Sequence, residues 1–317
     1  MHGTSNWTAN DIPDQKGRTV LITGANSGLG LRSAEAMARA GARVLLACRN
    51  PEKAAVALEA VEACATTAAP SVISLDLADL SSIKAAAAEV ATRVDQLDVL
   101  MNNAGVMAIP LRRTADDFEM QFGTNHLGHF ALTAHLLPLL LAAEQPRVVG
   151  TSSQAHRIGR IHWDDLQSRK RYSKWPAYGQ SKLANLLFTF ELDRRAKREG
   201  TSLIAAAAHP GYASTHLQSA GAEMTGNRLM ERTMEFGNRI LAQSDADGAL
   251  PQLYAATMPD VTGGEYFGPS GAFEMKGSPK AVGCTKAARD ITSATRLWDL
   301  SEKETSVAYS WVSARST

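Results

Sequence analysis

The strongest constraint on this chain is a repeated alternation of short β-branched runs with segments of helical period. RTVLIT (18–23), ARVLLAC (42–48), PSVISL (70–75), LDVLM (97–101), RVVGTS (147–152), TSLIAAAA (201–208) and GEYFG (264–268) read as strands. Segments 28–40, 51–64, 81–94, 115–141 and 176–199 between them read as helices. The strands are continuous apolar runs rather than apolar–polar alternations, so both of their faces must be covered. Strands that alternate with helices meet that demand as a doubly wound, mostly parallel sheet, an α/β fold. The alternation weakens after residue 209. The expected organisation is an N-terminal arm at 1–16 and one domain at 17–268, with an insertion at 154–175 and an irregular lid at 209–243. A helix at 244–257 follows the lid, and a C-terminal extension at 269–317 carries one more helix.

The first strand runs into VLITGANSGLG, where Gly24, Gly28 and Gly30 open the first helix. Glycines at such a junction let the backbone approach a pyrophosphate that rests on the helix N-terminus. A glycine triplet alone is equally a tight strand-to-helix turn. Its place at the first strand–helix junction favours a Rossmann-type dinucleotide site, with Asn26, Ser27 and Leu29 completing the turn. The second strand ends LLACRNPEK, with Cys48 and Arg49 where an NAD-specific site places a carboxylate for the ribose 2′-hydroxyl. Arg49 can grip a 2′-phosphate with its guanidinium fork, so NADP(H) is expected over NAD(H). Asn26 and Ser27 supply no second positive charge.

Further motifs follow in order: MNNAG (101–105), TNHLGHF (124–130), TSS (151–153), YGQSK (178–182) and HPGYAST (209–215). With the glycine turn, they make residues 17–270 resemble the short-chain dehydrogenase/reductase family. SSQAHRIGRIHWDDLQSRKRYSKWPAYGQSKLAN (152–185) is most similar to retinol-dehydrogenase-type members, and GANSGLGL is also similar to protochlorophyllide-reductase-like ones. The resemblance implies Asp76 and Leu77 at the adenine, and Asn103, Ala104 and Gly105 along the cofactor cleft. It implies Pro210, Gly211 and Thr215 on the cofactor as well, with Thr215 at the carboxamide. Asn125 would tie Lys182 to a water chain, Ser153 would hold the substrate oxygen, and Tyr178 would exchange the proton. Ser153 rather than Ser152 matches the second serine of the family's pair, and the long gap to Tyr178 matches the retinol-dehydrogenase-type insertion. The family also implies a homodimer or homotetramer paired through the helices that carry Asn125 and Tyr178.

The chemistry explains why these residue types belong together. A free tyrosine, pKa about 10, is a poor base near neutrality. Lys182 lies one helical turn from Tyr178, and its ammonium, with the charge of an oxidised nicotinamide, favours the phenolate. A shift of about 2–3 units corresponds to roughly 3–4 kcal/mol. A tyrosine and a lysine at this spacing are by themselves an ordinary helix-surface contact. Ser153 after the fifth strand and Asn125 on the preceding helix turn the pair into a candidate site. The expected activity is interconversion of a small lipophilic alcohol with its aldehyde or ketone. Two alternatives remain: a protochlorophyllide-reductase-like C=C reductase, and a non-catalytic NADP-sensing protein, which would be expected to lack the Tyr/Lys/Ser set.

Other features narrow the field. Lys+Arg of 33 against Asp+Glu of 32 leaves no basic field for nucleic acid. Cys48, Cys64 and Cys284 form no CxxC, which fits reduced thiols and a cytoplasmic location. The start MHGTSNWTANDIPDQKG lacks the apolar core of a signal peptide. The apolar run 130–143 is too short to span a bilayer and contains His135 and Pro138, so no integral membrane segment is expected. His126 and His129 have HxxH spacing without a nearby carboxylate or third ligand, and no metal is expected. His156 and His162 in the insertion face either substrate or solvent. Met224, Leu229, Met230, Met234 and Phe236 either form an adaptable pocket for an apolar substrate or pack the lid onto the body.

Overall fold

β1 (Thr19–Thr23), β4 (Val99–Asn102) and β5 (Arg147–Thr151) are buried at every position, and β2 (Arg43–Cys48) at all but its first. β3 (Ser71–Ser74), β6 (Ile204–Ala208), β7 (Tyr266–Pro269) and β8 (Pro279–Ala281) complete the sheet of this computed structural model, which describes residues 6–211 and 243–312. The eight strands lie in the order β3-β2-β1-β4-β5-β6-β7-β8. β1 to β7 are parallel and β8 runs antiparallel to β7, giving the doubly wound, mostly parallel α/β sheet that the alternation requires.

Successive side chains of a strand point to opposite faces, and β1 shows how both are covered. Val20 and Ile22 pack with Met37 of α1 (Gly28–Arg39), Val61 of α2 (Pro51–Glu62) and Leu253 of α7 (Asp245–Thr257). Leu21 packs on the other side with Ile83 of α3 (Leu80–Arg93), Phe130 of α5 (Gly128–Leu141) and Leu192 of α6 (Lys174–Arg198). The N-terminal arm joins the first layer, where Trp7 is buried edge-on against Tyr254.

The helix expected over 115–141 begins later. The Glu119 carboxylate accepts from the amides of Gln121 (2.9 Å) and Phe122 (2.7 Å) and so starts the short α4 (Met120–Phe122). Gly123–Leu127 then form a π-helical turn that leads into α5. Such turns interrupt the regular ladder and recur at functional sites. This one places Asn125 at its centre.

The C-terminal segment adds a strand, β8, that the sequence pattern did not signal: three residues beginning with proline carry no periodicity. It also adds α8 (Ile291–Thr305), which lies on α6. Trp298 packs on Phe130 and Phe188 with ring centroids 5.1 and 5.9 Å apart, under the guanidinium of Arg195. The Tyr309 hydroxyl donates to the Phe130 carbonyl at 2.9 Å. The α5 and α6 surfaces around Phe130 and Phe188 therefore carry the chain's own C-terminal segment. Among the described residues, no helix is long and apolar enough to cross a membrane.

Candidate active site

The strand order reverses between β1 and β4, and a cleft of about 410 Å³ opens at their carboxyl ends. The glycine turn forms its floor. Gly24 adopts φ +66°, and a Cβ there would press on the Ala104 side chain at 3.0 Å. A Cβ on Gly30 would lie 2.3 Å from the Gly24 carbonyl oxygen, so only glycine lets α1 approach β1 this closely. Ser27 occupies the N-cap of α1 without a side-chain cap bond, which leaves the first-turn amides directed at the cleft. That arrangement fits a pyrophosphate: a glycine-lined floor under uncapped amides at the positive end of a helix dipole.

The expected residues Gly24, Asn26, Ser27, Gly28, Leu29, Gly30, Arg49, Asp76, Leu77, Asn103, Ala104 and Gly105 all line this cleft. Lys53, Asn50, Val106 and Thr124 also line it, unanticipated from sequence. Lys53 is the second cation that the glycine turn lacks. It stands on the first turn of α2, where the Asn50 side chain caps the helix by accepting from the Lys53 amide at 2.7 Å. Its signal was the spacing RNPEK, a cation one helical turn beyond Arg49. Arg49 itself is 71% exposed and lies 3.8 Å from an Asp76 oxygen, a weak, solvent-screened pair.

At the other end, the tips of β1 and β4 are tied together. The amides of Asn103 and Ala104 both donate to the Thr23 hydroxyl at 2.9 Å, and Asn103 Nδ2 donates to the Thr23 carbonyl at 2.8 Å. His129 continues this network. Its Nδ1 lies 3.0 Å from the Asn125 carbonyl, which can only accept, so Nδ1 is assigned the proton and Nε2 accepts from Thr23 at 2.9 Å. Burial holds His129 neutral, with its pKa down to about 4, and His126 with its pKa at about 3. His126 meets the Ser301 hydroxyl at 2.9 Å.

Gly105 is where the cleft meets the candidate catalytic groups. A Cβ on it would stand 3.0 Å from Asn125 Oδ1 and 3.5 Å from Lys182 Nζ. Asn125 is locked by exchange with Val106, accepting from its amide at 2.8 Å and donating to its carbonyl at 2.9 Å. Lys182 Nζ donates to the Thr151 carbonyl at 3.1 Å and lies 5.7 Å from the Tyr178 ring centroid. The Tyr178 phenol is buried, with the Ser153 side chain beside it. Ser152 instead donates to the Lys182 carbonyl at 2.8 Å, which distinguishes the two serines by geometry.

The fold adds an electrostatic effect that acts against the pull of Lys182 and a bound nicotinamide on the phenol. Burial drives the Tyr178 phenol up to about 12, with Ser153 opposing. Burial also lowers Lys182 to about 8. Each charged form loses its hydration on burial, and desolvation is the leading cause of both shifts. The chain's own groups therefore hold Tyr178 as a protonated acid.

His156 does not face solvent. It is buried, with Nδ1 donating to the Ser153 carbonyl at 2.7 Å, while His162 is exposed. Pro210 and Gly211 follow β6 at the same edge of the sheet but do not line the cleft. The Pro210 carbonyl accepts from Gln243 and the Gly211 amide donates to His209 Nδ1 at 3.1 Å. Thr215 and the lid positions Met224, Leu229, Met230, Met234 and Phe236 lie outside the described residues.

Residues 18–225 match the sequence profile of the short chain dehydrogenases. The chain is a short-chain dehydrogenase. It is 42% identical to mouse retinol dehydrogenase 14 over 298 residues, which covers 90% of this chain and 85% of that protein. It is 40% identical to human retinol dehydrogenase 13 over 286 residues, covering 89% and 82%. A crystal structure of an uncharacterized protein from Mycobacterium paratuberculosis shares 45% identity with a TM-score of 0.77, covering 98% of this chain and all of that one. This short-chain dehydrogenase is an oxidoreductase whose relatives include retinol dehydrogenases.

Proposed function

We propose that this short-chain dehydrogenase reduces an apolar aldehyde or ketone to its alcohol with NADPH, Tyr178 giving the proton to the new hydroxyl. The observation that carries this reading is the buried Tyr178 phenol beside Ser153, next to the point where Gly105 opens the cleft onto Lys182. When bound, the dinucleotide supplies the hydride.

The protein supplies orientation and the acid. Ser153 donates to the carbonyl oxygen as negative charge gathers there. Tyr178, held protonated by burial, passes its phenolic proton to that oxygen. Lys182, anchored on the Thr151 carbonyl, offsets the phenolate that remains. Asn125 holds the turn at Val106 against this end of the cleft.

The preference for NADPH rests on Arg49 and Lys53. With Asp76 they line one end of the cleft with two formal positive charges against one negative, a net attraction for a 2′-phosphate. An apolar substrate is supported in two ways. Retinol, carried in the relatives' names, is an apolar alcohol. Trp175 also stands one helical turn before Tyr178, 45% exposed and edge-on to it at 6.2 Å.

Purified protein with NADPH or NADH against a panel of aldehydes and ketones tests the reading, followed by the loss of reduced-cofactor absorbance. Tyr178→Phe is expected to bind NADPH as the wild type does and to turn nothing over. Full activity in that variant, or none in the wild type, would refute the reading. Product analysis that showed reduction of C=C in place of C=O would point to the second family resemblance.

A further inference from the structure

Gln252 on α7 is buried, and its amide joins three separate elements. Nε2 donates to Ser33 Oγ on α1 at 2.7 Å and to Asn103 Oδ1 beyond β4 at 3.1 Å. Oε1 accepts from Thr151 Oγ1 at the end of β5 at 3.0 Å. The orientation of every group follows from one acceptor. The Thr23 carbonyl can only accept, so Asn103 Nδ2 must face it and Asn103 Oδ1 must face Gln252. Gln252 must then present its NH₂ to Asn103, which turns its oxygen towards the Thr151 hydroxyl. Glutamine suits this position because its amide donates and accepts at once.

The two strand-end partners border the candidate active site from different sides. Asn103 lines the cofactor cleft, and Thr151 carries Lys182 Nζ on its carbonyl. The β4–β5 ladder ends at the Asn102–Gly150 pair, and Gln252 supplies the next link between the two chains beyond it. We propose that Gln252 is a positioning residue, setting the wall of the cofactor cleft at Asn103 against the Thr151 anchor of Lys182. This inference rests on the reductase reading above.

Gln252→Met keeps the length of the side chain and removes all three hydrogen bonds. Gln252→Glu keeps the acceptor, removes the donor and places a carboxylate beside Thr151. NADPH affinity from nicotinamide fluorescence, kcat per bound NADPH, the pH profile of kcat/KM and thermal melts are measured on the full chain. Both variants are expected to bind NADPH about tenfold more weakly and to lose about tenfold or more in kcat per bound cofactor, the scale of a small misplacement. In the Glu variant the Lys182-dependent limb of the pH profile moves upward, because the added carboxylate favours the charged amine. Should the Glu variant fail to fold, the Met variant decides. Wild-type affinity and wild-type kcat per bound NADPH in the Met variant, with only the melt lowered, would make Gln252 a packing residue and overturn the proposal. If the wild type reduces no carbonyl, the reductase reading falls. NADPH affinity then decides Gln252 alone: a tenfold weakening supports its role, and an unchanged affinity sinks it.

Discussion

The backbone carbonyl of Thr151 receives the ammonium of Lys182 at 3.1 Å and the side-chain amide of Asn185 at 3.0 Å. A single oxygen at the end of β5 thus fixes the ammonium beside Tyr178, through a strand buried in the centre of the sheet. The lysine is held by backbone and not by a carboxylate, so burial is free to lower its pKa to about 8.

Carbonyl reduction is accordingly expected to fall as pH rises through about 8, where Lys182 loses the charge that balances the phenolate. Lys182→Arg should move that limb to higher pH, and Lys182→Met should cost about a hundredfold or more in kcat. A kcat/KM profile that stays flat to pH 10 in the wild type would detach Lys182 from the chemistry.

Arg49→Ala and Lys53→Ala should each weaken NADPH about tenfold, the worth of one charged hydrogen bond, while NADH changes less than about twofold. Titration of both cofactors against each variant makes the comparison. Equal losses for NADPH and NADH would mean that neither cation meets the 2′-phosphate.

His126 and His129 stay neutral in the fold, with pKa values lowered from 6.5 to about 3 and about 4. The unfolded chain therefore binds more protons below pH 6.5, and stability must fall as pH drops from there towards 4. The limit is about 1.4 kcal/mol per pH unit for each histidine. Urea unfolding at pH 7, 6 and 5 reads this directly. A midpoint that did not decline over that window would show that one or both rings are charged in the native state.

Much of the architecture was legible because its causes are local. TVLIT in β1 is apolar without alternation, which only a strand covered on both faces accommodates. Gly24 and Gly30 mark a close approach that any side chain would block. Tyr178 and Lys182 share a helix face by spacing alone. The start of α4 was less legible, because helical period continues through 115–119 while the Glu119 carboxylate sets the actual boundary. β8 was invisible, its three residues being a strand only because β7 offers them an edge.

Sequence by itself determined the alternation of the first seven strands with helices and the glycine turn, since backbone sterics and burial period act within a few residues, and its motifs singled out Ser153, Tyr178 and Lys182 through their resemblance to the family. Tertiary structure alone decided that burial raises the Tyr178 phenol and that Gln252 bonds to both Asn103 and Thr151. Those outcomes depend on desolvation and on hydrogen bonds between residues 101 to 219 positions apart. No local window of sequence contains both partners of such a bond, or the neighbours that exclude water from it.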